Sequence, residues 1–312
     1  MSSMHHAPAG YLHPHYAASL AEFGRPRHLP ASGGWLLERP VRGSAAADAM
    51  GPYPLFSCRD WSALSGDIQA LGESGLVSLV LVADPLGGWT QQGLERCFPD
   101  RLLHFKDHFV ADLSTPADEF VDGHHLRNVR KALKAIDVER VEAPLSLLDQ
   151  WCALYGNLVA RHGIRGVSAF SRASFQRQLA VPGLTMFCAR SEGEPVGITL
   201  WYEQQRAAYY HLAAYSDRGY DLRASFAIFW RAFEHFAERG IRFLDLGAGA
   251  GASAAADDGL TRFKRGWSNG TRPAWLCGRI FDREAYAALA AARGAEAAAG
   301  GYFPAYRRGE FV

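Results

Sequence analysis

The sequence has almost no charge imbalance: 33 lysines and arginines stand against 32 aspartates and glutamates, a formal net charge of +1. That excludes a polycation that coats nucleic acid by bulk charge, so any polyanion contact must come from a local patch. Cysteine is scarce too. The five, at 58, 97, 152, 188 and 277, include no C-x-x-C pair, which speaks against a zinc site or a disulfide framework and for a reducing compartment. No basic start leads into the apolar run of a signal peptide. The longest clean apolar stretch, around Leu79–Ala83, is far short of a membrane span. A cytoplasmic protein without a membrane partner is the expectation. What the chain does have is a hydrophobic fraction of 48% over 312 residues, enough for two domains with real cores.

Periodicity places the elements. Strands are expected at Trp35–Val41, at 75–85 up to Pro85, and at 102–114, where Leu103, Phe105, Phe109, Ala111 and Leu113 share one parity. Helices are expected at Asp60–Leu71 and around 117–135. A second unit, beginning near Leu145, has helices at Leu147–His162 and Arg172–Leu179. The strands "TMFCAR" and "PVGITLWYEQ" then meet at the turn "SEGEP", and "RAAYYHLAAY" adds another strand. Leu222, Phe226, Phe229, Trp230, Phe233 and Phe236 give a helix over 221–239 with Gly240 at its C-terminal end. "RFLDLG" and "PAWLCGRIF" are strands, and 283–298 is an Ala-rich helix. "YFPAYRRGE", at 302–310, is read as returning to pack on the first unit. The domains implied are 1–144 and 145–312. His5, His6, His13 and His15 sit in a tail read as loosely ordered, a metal-binding tail being the alternative.

"LDLGAGAG", 244–251, has the glycines of a methyltransferase nucleotide turn. The context does not fit. Such a turn opens a doubly wound sheet and precedes an acidic residue by roughly 20 positions. Only 61 residues follow Gly251, and Trp267 stands near where the acid belongs. Gly247, Gly249 and Gly251 are therefore read as loop formers. Downstream, Leu244-Asp245-Leu246-Gly247, a variable loop and Gly259-Leu260-Thr261-Arg262-Phe263-Lys264 form a strand ending in Asp-x-Gly followed by a Phe-Lys pair. "ADLS" (111–114) precedes the basic "HHLRNVRKALKA" (124–135), and "AAYYHLAAY" leads into the long helix. In these features, over about 105–281, the chain resembles the Fem-like aminoacyltransferases (FemA, FemB, FemX) of the GNAT-like superfamily. It lacks the long coiled-coil insertion of several cell-wall members, which leaves a cell-wall substrate open.

The resemblance implies a mixed α/β (α+β) fold of two tandem GNAT-like subdomains packed together. It also implies transfer of an aminoacyl group from aminoacyl-tRNA to an amine of a small molecule or peptide, with no cofactor and no DNA. In the family the phenylalanine packs near the tRNA end and the lysine stabilises charge on the transferring carbonyl. By this likeness Lys264 is the catalytic cation, a surface lysine at a loop–strand junction being the alternative. Phe263 either stacks on a terminal adenine or anchors the loop. Asp245 either orients the amine and takes its proton or braces the glycine loop.

Arg127, Arg130, Lys131 and Lys134 fall at i, i+3, i+4 and i+7, one basic helix face suited to phosphates or to solvent. Arg262, Arg265, Arg272 and Arg279 add a second cluster beside Lys264. In "YYH", Tyr210 is a candidate substrate contact and His211 a general base or a core histidine. His104 and His108 flank Lys106 on one strand face, but a metal lacks a third ligand. Two other functions remain: an acyl-CoA N-acyltransferase, although 218–226 lacks the paired glycines of a pyrophosphate loop, and a non-catalytic binding module on the same fold.

Overall fold

A computed structural model describes residues 7–249, 258–294 and 301–310. His5, His6, Gly251 and the last residues of the helix expected at 283–298 lie outside this set. In chain order the helices are α1 (Pro14–Ser19), α2 (Leu64–Gly72), α3 (Gln91–Cys97), α4 (Ala117–Phe120), α5 (Gly123–Ala132), α6 (Leu148–His162), α7 (Arg172–Gln178), α8 (Asp217–Asp221), α9 (Ala224–Glu238), α10 (Gly259–Arg265) and α11 (Arg283–Ala292). The strands are β1 (Arg25–His28), β2 (Trp35–Pro40), β3 (Ala47–Met50), β4 (Leu76–Val82), β5 (Arg101–Asp112), β6 (Asp137–Val141), β7 (Leu184–Ser191), β8 (Glu194–Gln204), β9 (Ala207–Tyr215), β10 (Phe243–Asp245) and β11 (Gly270–Ile280).

The chain forms two compact units. The first comprises Met1–Gly10, Lys106–Ile164 and Ser171–Arg272; the second comprises Tyr11–Phe105, Arg165–Phe170 and Pro273–Val312. The boundary expected near residue 145 falls inside the first unit's 106–164 segment. Both units are mixed α/β. In the first, β10 pairs antiparallel with β5 and parallel with β9, and β9, β8, β7 and β6 follow as an antiparallel run. In the second, β1–β2–β3 is antiparallel, β3 runs parallel to β4, and β4 pairs antiparallel with β11. The longest helices among the described residues, α6 and α9, have 15 residues each. None is long and apolar enough to cross a membrane.

The first unit's core gathers on α9. Ala224, Ala227, Ile228, Phe229, Ala232, Phe233 and Phe236 are all buried, a three-to-four-residue stripe. Fully buried Trp201 and Trp267 lie in the same cluster. The helix expected over 221–239 forms as α9 but begins only at Ala224. Arg223, with φ of 60°, is left-handed and separates α8 from α9. Likewise the helix expected at 117–135 breaks at Val121–Asp122, where the Asp122 carboxylate caps α5 by accepting from His124 N–H at 2.6 Å. The strand expected at 102–114 forms, but its alternation does not bury one face throughout: Leu103 is 41% and Phe105 37% exposed.

In the second unit the segment after residue 301 returns to β3 and β4. Tyr306 and Arg307 converge on buried Asp48, with Arg307 Nε 2.7 Å from Oδ2, and Tyr306 Oη lies 2.8 Å from Ser78 Oγ. All five cysteines are free thiols.

Candidate active site

The turn at the end of β10 organises the site. Gly247 has φ of 73°, the left-handed region that favours glycine. Leu246 N–H donates to Phe109 C=O at 2.9 Å and Phe109 N–H to Gly247 C=O at 3.0 Å, so the chain follows β5 past the end of β10. Within the turn, Gly247 N–H donates to Asp245 Oδ1 at 2.8 Å. The next two carbonyls each accept from a lysine: Ala248 from Lys264 Nζ at 2.7 Å, and Gly249 from Lys106 Nζ at 3.2 Å. The glycine-rich stretch is thus a seat for two ammonium groups.

Lys264 arrives on a helix rather than at a loop–strand junction. Asp258 caps α10: its Oδ1 accepts Thr261 N–H at 2.8 Å and its Oδ2 the Thr261 hydroxyl at 2.9 Å. Thr261 and Lys264, three residues apart, form its buried side. Lys264 is only 7% exposed. Burial lowers its pKa to about 8, with nearby Asp245 opposing the shift and Lys106 adding to it. At neutral pH roughly nine-tenths of the side chains stay protonated. Nζ lies 5.7 Å from the centroid of Tyr210 on β9, within cation–π range. Burial also lowers the Lys106 pKa, with Asp258 opposing.

Asp245 is 2% exposed. Register places it opposite Val110, and His108 is two residues away on the same face of β5. His108 Nδ1 lies 2.9 Å from both carboxylate oxygens. A carboxylate only accepts, so Nδ1 carries the proton of this bond, and Nε2 is the ring's remaining nitrogen. The two roles considered for Asp245 did not include this partner. Lys106 and His108 stood out in the sequence only as a metal possibility. Among the described residues no three His, Cys, Asp or Glu side chains gather as metal ligands.

The Phe263 ring packs edge-on against Phe229, with centroids 4.8 Å apart, and against Phe226 at 5.2 Å. Its carbonyl accepts from His125 Nε2 at 2.9 Å. His125 thus ties α5 to α10, and burial lowers its pKa. Arg127, Arg130, Lys131 and Lys134 are exposed on α5 or just past its end, and Arg262 and Arg265 are exposed on α10. His211 lies away from this cluster. A bulge at residue 211 interrupts the β8–β9 register, and its Nε2 pairs with Gln178 Oε1 at 3.1 Å. Burial lowers the His211 pKa to about 3, so the ring stays neutral at ordinary pH. The structure therefore brings together Lys264, Asp245 and Tyr210, adds Lys106 and His108, and leaves His211 apart.

Residues 124–265 match the family described as acetyltransferase (GNAT) domain. The crystal structure of FemX superposes with a TM-score of 0.67 at 14% identity, covering 92% of this chain and 99% of that one. The fold is Fem-like. The C-terminal domain of a protein described as a lysylphosphatidylglycerol synthetase, from Agrobacterium fabrum, shares this Fem-like fold with a TM-score of 0.59 at 16% identity, covering 90% of this chain and 91% of that one. L-PGS from Bacillus licheniformis superposes with a TM-score of 0.56 at 16% identity, over 89% of this chain and 95% of that one. No curated protein matches the sequence. The GNAT match runs from α5 to α10. It includes Tyr210, Asp245 and Lys264 and ends short of His108 on the N-terminal side.

Proposed function

We propose that this protein is an aminoacyltransferase. It moves an aminoacyl group from the 3′ ester of tRNA to an amine of a small molecule or peptide. The observation that carries the reading is Lys264: a buried ammonium, charged at neutral pH, held on the Ala248 carbonyl beside Asp245. Aminolysis of an ester needs no covalent enzyme intermediate. It needs the amine held about 3–3.5 Å from the carbonyl and a fixed donor for the developing oxyanion, worth roughly 3 kcal/mol. Lys264 supplies that donor. Phosphates of the donor tRNA meet the exposed face of Arg127, Arg130, Lys131 and Lys134, with Arg262 and Arg265 nearer the reacting end.

The start of α9 supports tRNA over coenzyme A. A pyrophosphate needs free N–H groups at a helix N-terminus. Here 218–226 has no paired glycines and carries Asp221 where the anion would sit, and Phe226 N–H already donates to the Arg223 carbonyl at 3.0 Å. The test supplies charged bulk tRNA carrying labelled amino acids, or a set of acyl-CoAs, with candidate amines. Label leaving tRNA only when an acceptor is present supports the reading. Turnover with CoA thioesters alone overturns it.

A further inference from the structure

The geometry points to His108 as the general base of this site, with Asp245 as the group that positions it. This inference rests on the acyl-transfer reading. A neutral amine attacking an ester becomes cationic as the bond forms, and it must lose a proton before the tetrahedral intermediate can collapse to an amide. A base for that proton needs a lone pair directed at substrate and a second group that fixes its tautomer.

His108 has the fixing group and an unbonded second ring nitrogen. Its Nδ1 donates to Asp245, 2.9 Å from each oxygen. Asp245 is itself fixed by Gly247 N–H at 2.8 Å. The carboxylate side chain is 2% exposed and the imidazole 12%, so the orienting group is sealed while the ring keeps an accessible edge. Among the described residues Nε2 has no hydrogen-bond partner. The other charged groups gathered around the pair are Lys106 on β5 and Lys264 and Asp258 at α10. Both lysines bond carbonyls of the adjoining turn, which leaves Asp245 to the imidazole and the Gly247 amide.

The step balances without a further reactant. The amine nitrogen bonds to the ester carbon, and its proton passes to His108 Nε2. The carbonyl electron pair moves onto oxygen, facing Lys264. Collapse re-forms the carbonyl and breaks the ester C–O bond. The proton then moves from Nε2 to the departing hydroxyl oxygen of the donor. One amide forms, one ester is lost, and the ring returns to its neutral state.

The experiment compares wild type, His108→Gln, His108→Ala and Asp245→Asn with charged tRNA and an accepted amine. For His108→Gln, kcat is expected to fall about 100-fold, with the acceptor KM changed less than about threefold. His108→Ala leaves room for a free ring, and imidazole in the buffer should restore its turnover while leaving wild type and Lys264→Ala unchanged. Asp245→Asn presents an amide N–H to Nδ1, which favours the tautomer protonated on Nε2. It should lower kcat at least tenfold, without imidazole rescue. A folding defect alone would not respond to imidazole. If both His108 variants keep more than half of wild-type kcat, or if the alanine variant is inactive and imidazole does nothing, His108 is not the base even though the acyl-transfer reading stands. Wild-type protein inert towards both donor classes overturns both readings.

Discussion

Lys264 is a cation placed where burial works against its charge. Its folded pKa, about 8, lies below the ordinary value of 10.5. The unfolded chain therefore holds the proton more tightly. The penalty to stability is fully present below about pH 8 and is relieved as pH rises from there to about 10.5. The shift corresponds to about 3 kcal/mol. Lys264→Met removes that penalty, but it also deletes the bond to Ala248 and leaves a carbonyl unpaired, at a cost of about 2 kcal/mol. The two effects oppose each other, so the variant should stay within about 2 kcal/mol of wild type in thermal melts at pH 7 while losing at least 100-fold in turnover. Lower stability together with intact turnover would make Lys264 a structural residue. The same shift fixes the direction of the alkaline limb: turnover should fall as pH rises through about 8, where the ammonium deprotonates.

At the scale of elements, the docking of α10 decides whether Lys264 reaches the turn. Gly266, just after α10, lies so close to His125 that an added Cβ would sit 2.3 Å from Cε1 and 2.5 Å from Nε2. The ring cannot swing away without losing its bond to Phe263 C=O. Gly266→Ala should cost about 1–3 kcal/mol and lower turnover, read by chemical denaturation alongside the assay. In the second unit, Arg307→Ala would remove the cation paired with Asp48, whose side chain is 2% exposed, leaving it the Tyr306 hydroxyl, and should cost about 3–5 kcal/mol.

These elements were unequally legible in the sequence. The α9 stripe and the β7–β8 hairpin follow from local periodicity, so they were readable. The helical form of 259–265 was not, because it depends on a cap from Asp258 and a core position for Phe263 rather than on a long amphipathic repeat. The His108–Asp245 pair was hidden for another reason. It joins residues 137 apart in sequence, and their meeting depends on which strand lies beside β10. The spacing of Lys106 and His108 on one strand face was the sole local sign.

Taken as a whole, the molecule is nearly neutral, so its dealings with a polyanion rest on where charge sits. On α5 the basic residues occupy the exposed side while His125 and Val129 are buried. Reversing Arg127 and Lys131 to glutamate should weaken binding of charged tRNA and flatten its salt dependence by about one unit of log–log slope per lost phosphate contact. Thermal stability should stay within about 0.5 kcal/mol of wild type. Unchanged affinity would remove this face from the tRNA path. The most direct measurement is a single-turnover assay. Labelled aminoacyl-tRNA is mixed with excess enzyme, wild type or Lys264→Met, with and without an acceptor amine. Wild type should release label into an amide only with the acceptor, and Lys264→Met should do so at least 100-fold more slowly with donor binding retained. Equal rates for the two proteins, or release that ignores the acceptor, would show that Lys264 does not stabilise an acyl-transfer transition state.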